Sequence, residues 1–94
     1  MSELLDKITK AVERTAGGTV THRDSVPIIE TFRGETVWAG IVEVFDVAKP
    51  PPTVAYGWAV EGMEEQQYVT VLGVTPVDSP LSAVRAWLVG QARQ

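Results

Sequence analysis

The chain contains no cysteine. That removes disulfide stapling, thiolate nucleophiles and cysteine-ligated metal or iron–sulfur centres together. It is compatible with a cytoplasmic setting. Histidine occurs once, at His22, so imidazole-rich metal sites are excluded as well. Basic residues are scarce through the middle of the chain. Residues 34–75 carry Glu35, Glu43, Asp46, Glu61, Glu64 and Glu65 against Lys49 alone, whereas residues 1–33 balance five acids with five bases. With a net charge of −4, that distribution argues against phosphate backbones, and so against nucleic acid, as a partner. No apolar run approaches the ~18 residues of a membrane-spanning helix. Charges at Glu3, Asp6 and Lys7 stand where an export signal needs apolar residues. The expectation is a soluble, cytoplasmic protein with no nucleic-acid and no membrane partner.

What is present is enough for one domain, residues 1–94. A chain of this length buries somewhat over 60% of the surface that its unfolded form exposes, so it can fold without staples. The longest apolar run, Val37-Trp38-Ala39-Gly40-Ile41-Val42-Glu43-Val44-Phe45, reads as the centre of a sheet. Before it, Leu4, Leu5, Ile8, Ala11 and Val12 recur at helical spacing, with Ser2 as cap and Gly17-Gly18 as stop. Residues 19–25 are polar and rich in turn formers and are expected to be a loop. A first strand follows over 27–33, a tight hairpin at Arg33-Gly34, and the central strand over about 36–46. Lys49 and three prolines, Pro50, Pro51 and Pro52, end pairing as a stiff connection. A third strand covers 53–61, an acidic turn 61–65, and a fourth strand 66–75. Ser79 caps a last helix with Pro80 at its first position, and Gly90 marks its fraying end.

Helix, four strands, helix is an α+β order. Every link between strands is too short for a parallel crossover, which gives a four-stranded antiparallel meander with both helices packed on one face. The third strand alternates Ala55, Gly57 and Ala59 with Tyr56 and Trp58, and neither face is polar. Two helices on one face would leave the other apolar and uncovered, more surface than a soluble monomer tolerates. A homo-oligomer is therefore expected, most simply a two-fold dimer joined by a sheet face or strand edge. The competing arrangement folds residues 17–26 over that face as a loop.

Constellations with chemical potential are few. His22, Asp24 and Ser25 supply the residue types of a hydrolase triad, but neighbours in one turn do not give triad geometry, and a solvated loop histidine is expected. Glu61, Glu64 and Glu65 lack calcium-loop spacing, and no glycine-rich phosphate cradle occurs. Neither a metal site nor a cofactor is expected, and no residue is assigned a catalytic role. Trp38, Tyr56, Trp58 and Tyr68, with Glu43 and Glu61 on the same strands, form the one interface or ligand face worth naming. Aromatics edged by carboxylates hold organic cations; the plainer account is core or dimer interface. The chain is thus expected to be a non-enzymatic oligomerising protein, with small-molecule binding in an aromatic, acid-edged pocket for cationic or neutral ligands as the alternative.

Four stretches carry a resemblance: Gly34-x-x-Val37-Trp38-x-Gly40-x-Val42-x-Val44-Phe45, Ala55-Tyr56-x-Trp58, Val71-Leu72, and Pro76-Val77-x-Ser79-Pro80-x-x-Ala83-Val84-Arg85. On these the chain resembles small bacterial proteins carried on mobile gene pools such as integron cassettes. The resemblance covers about the last two thirds of the chain and speaks to fold. It implies no established activity and carries over no catalytic residue.

Overall fold

The N-terminal apolar stripe folds as helix α1 (Glu3–Ala16), burying Ile8, Ala11 and Val12. Glu3 and Asp6 lie in its first turn and Arg14 in its last, matching the helix dipole. Gly17, at φ 74°, closes it by donating its N–H to the Glu13 carbonyl at 2.9 Å, a left-handed cap that glycine adopts without a Cβ clash. The structure, a computed structural model, describes residues 3–48, 52–61, 66–74 and 76–92. Ser2, Lys49, Pro50 and Pro51, and the acidic turn at 62–65, lie outside the described residues.

Four strands follow: β1 (Val20–Phe32), β2 (Glu35–Val47), β3 (Thr53–Glu61) and β4 (Gln66–Leu72). They pair antiparallel in the order β1-β2-β3-β4, the meander expected of an α+β chain with short links. Arg33 and Gly34 both take positive φ, 53° and 80°, as a two-residue type I′ hairpin turn requires. Helix α2 (Pro80–Ala92) closes the chain and runs past Gly90. Its first turn is held by a reciprocal box. The Ser82 N–H donates to Ser79 Oγ at 3.1 Å and the Ser79 N–H to Ser82 Oγ at 3.0 Å.

Three expectations are corrected. Residues 20–26 are strand, not loop, and so do not fold over the sheet. Without them, Val42–Val47 of β2 would have backbone groups unpaired on one side; pairing with β1 satisfies these groups. A bulge at Arg23 absorbs the mismatch, since His22 faces Phe45 and Asp24 faces Val44. β4 is correspondingly shorter than the expected 66–75, ending at Leu72.

The helices also lie on opposite faces rather than one. α1 packs on Val20, Phe45, Val47 and Ala55; α2 brings Ala83 and Val84 onto Val42, Val44, Tyr56 and Trp58. The period-2 alternation of β3 decides it, because both faces of the central strands are apolar and each needs a cover. Small residues let α1 approach closely. A Cβ on Gly57 would stand 2.8 Å from Val12 and 2.9 Å from Ile8.

The sheet is continuous only at one end. β2 pairs with β3 from Glu43–Val47 alone, opposite residues 53–57. Beyond this, residues 26–42 continue as a two-stranded ribbon of β1 and β2, with Val37 bulged between the Glu30–Trp38 and Thr31–Thr36 pairs.

Candidate functional site

The sheet divides the six residues expected to share one face. Trp38, Tyr56 and Trp58 lie beneath α2. Trp58 is fully buried, with the rings of Trp38 at 5.7 Å and Trp87 at 5.9 Å in edge-to-face geometry. Among the described residues its Nε1 has no hydrogen-bond partner. Tyr56 is buried too. Burial pushes its hydroxyl above its ordinary pKa, Asp78 adds to that, and Arg23 opposes it. Tyr68 packs with the α1 cluster, and Glu43, opposite Gly57, shares that face. Glu61 pairs with Gln66 at the end of β3, and its side chain lies outside the described residues. The aromatic, acid-edged pocket is therefore not assembled: α2 fills the aromatic half, and Glu43 and Tyr68 lie across the sheet.

Glu43 instead joins His22 and Ser25. Its Oε1 accepts from Ser25 Oγ and lies 2.9 Å from His22 Nε2, while Ser25 Oγ is 3.3 Å from the same nitrogen. The imidazole meets the Phe45 ring at 5.5 Å. A hydrolase triad places its imidazole between acid and nucleophile, one nitrogen for each. Here both approach Nε2, and the serine hydroxyl donates to the carboxylate. That arrangement pins the cross-strand pair Ser25–Glu43 and does not activate a nucleophile. Asp24 faces Val44 and accepts the Ser25 N–H at 2.8 Å. His22 is thus a strand residue with partners, not a solvated loop histidine. One signal for this was readable: a central strand of more than ten residues needs an equally long neighbour. Among the described residues, no three His, Cys, Asp or Glu converge as a metal site.

Among the described residues Leu4, Val74 and Val89 are exposed elsewhere, but exposed apolar side chains cluster on the ribbon. On the α1 side, beyond the reach of that helix, the cross-strand pairs Pro27–Ile41 and Ile29–Ala39 lie side by side and all four residues are exposed. Ile29 is 71% exposed and Ile41 55%. On the other side, α2 and the ribbon bound a groove of about 610 Å³ lined by Phe32, Val37, Leu88 and Val89, with Glu30 and Arg85 among its walls. Arg85 donates through Nε to Glu30 Oε2, and its Nη2 lies 3.5 Å from Oε1. This guanidinium holds the Glu30 carboxyl below its ordinary pKa, against a smaller opposing effect of desolvation. Sequence offered no signal for the pair, since its members are 55 residues apart.

No protein-family model, curated protein or solved structure matches the chain. Among the described residues no helix is long and apolar enough to cross a membrane.

Proposed function

We propose that this chain is a non-enzymatic association protein of the cytoplasm that forms a two-fold dimer through the exposed ribbon face. One observation carries this: the adjacent pairs Pro27–Ile41 and Ile29–Ala39 are wholly apolar and open to solvent. An antiparallel sheet with a solvated face places polar residues there instead. A two-fold axis over the patch sets each Ile29 and Ile41 against its mate and removes both patches from water. The outer edge of β1 is open beside the patch and extends the same contact. On the quoted motifs alone, we also propose membership of the integron-cassette type of small bacterial protein. Sedimentation velocity across micromolar concentrations tests the proposal. The wild type sediments as a dimer, and the double variant Ile29→Lys, Ile41→Lys as a folded monomer by circular dichroism. A wild-type monomer throughout that range overturns it.

A small-molecule role is the second function we propose, and the α2–ribbon groove supports it. A ligand raises Tm at fixed protein concentration, whereas association raises Tm only with protein concentration.

A further inference from the structure

We propose that the groove binds a free, straight-chain monocarboxylate, with its carboxylate on Arg85 and its chain along Phe32, Val37, Leu88 and Val89. This rests on the small-molecule role of the groove and is independent of association through the ribbon face. The groove volume of about 610 Å³ falls in the range of small-ligand sites. Phe32, Val37, Leu88 and Val89 give it an apolar floor, which suits a chain that makes no directional demand, and Glu30, Thr31 and Arg85 are its polar residues.

Charge decides the head group. The Glu30 side chain is 14% exposed and that of Arg85 61%. Nε and Nη2 of Arg85 turn toward Glu30, while Nη1 makes no hydrogen bond among the described residues. The charge met first from solvent is therefore the guanidinium, with the carboxylate masked beneath it. Beside Phe32, Arg33 lies over its ring at 5.1 Å and Glu35 is its cross-strand partner, so the two charges flanking that residue are of opposite sign. A cationic head meets Arg85 and is repelled. An alcohol gains a neutral hydrogen bond, and a carboxylate gains charge-assisted ones from a planar donor.

Isothermal titration of the full chain at pH 7.5 with sodium decanoate, 1-decanol and decylammonium tests this. Decanoate is expected to bind about ten-fold more tightly than decanol. Each methylene added from octanoate is expected to raise affinity by up to about four-fold. Arg85→Gln removes the preference for carboxylate: decanoate affinity is expected to fall about ten-fold, to that of decanol measured on the same variant. Glu30→Gln, which frees the guanidinium, strengthens decanoate binding, a response that a purely structural ion pair does not give. Val89→Glu, on the exposed wall, abolishes binding of both.

A carboxylate preference that survives Arg85→Gln overturns the proposal, as does decylammonium binding as tightly as decanoate. Equal binding of decanoate and decanol overturns the carboxylate specificity and leaves the groove as an apolar site. Absence of saturable binding by all three overturns the small-molecule role as well. Decanoate affinity that falls as protein concentration rises places a second copy in the groove, and overturns the proposal too.

Discussion

Val44, Phe45 and Val47, at one end of β2, are buried; Val37 and Ile41, nearer the other end of the same strand, are exposed. The two stretches have the same kinds of side chain and the same β preference. They differ in neighbours. The first has β1 and β3 on its edges and a helix on each face. The second has β1 alone, with α2 against one face. Burial is thus decided by where a third strand stops, not by the hydrophobicity of the strand. The ribbon is where the molecule has surface left to offer, and both candidate sites lie on it.

The largest effect that separates the two regions is expected at Trp58. Trp58→Ala empties the centre of the α2 face and is expected to cost about 3–5 kcal/mol in urea unfolding. Ile29→Ala, measured on dilute monomer, is expected to change stability by no more than about 0.5 kcal/mol. Similar losses at the two positions would break the comparison.

Two glycines sharpen it further. Gly57→Ala drives a methyl into Val12 and Ile8 of α1 and is expected to cost about 1–3 kcal/mol. Gly40→Ala meets only the ring of half-buried Trp38, its nearest atom 3.0 Å away. The clash is with one half-buried side chain rather than with a helix, and alanine recovers strand preference, so a change within about 0.5 kcal/mol is expected. Equal costs at the two glycines would mean that the ribbon is packed as tightly as the body.

The smallest effects are in pH. The Glu30 carboxyl is held below its ordinary value of 4.5, first by its hydrogen bond to Arg85. Its contribution is present above that ordinary value and is lost as pH falls through the lowered one. Tyr56 has the opposite sign, its pKa being raised from 10.0 first by burial. Its contribution is present below 10.0 and is lost as pH rises through the raised value. Thermal unfolding from pH 3 to pH 11 is therefore expected to fall at both ends. Glu30→Gln flattens the acid limb and Tyr56→Phe the alkaline one. An acid limb unchanged by Glu30→Gln would show that Arg85 contributes nothing to anchoring α2 on the ribbon.

Much of the fold is legible in the chain before folding. The stripe through Ile8 and Val12, the Arg33-Gly34 turn, the bounds of β3 and the Ser79–Pro80 helix start are each local, set by periodicity, φ preference or a missing N–H. The segment around His22 is not. Its turn-forming side chains point one way and the hydrogen-bonding needs of β2 the other, and the ladder wins. The candidate site is less legible still, because Glu30 meets Arg85, and Ser25 meets Glu43, only through register and helix placement.

By itself the sequence determined that this is an α+β meander, apolar on both faces of its central strands, with no thiol chemistry and an acidic middle. Tertiary structure alone decided that each face receives its own helix and that β3 leaves β2 at Glu43. It also decided that the uncovered apolar surface falls on Pro27, Ile29, Ala39 and Ile41 rather than on Tyr56 and Trp58. The physical reason is the two-residue period of a strand. It fixes which side chains share a face, but which face a helix covers, and how far along, depends on contacts between segments distant in the chain.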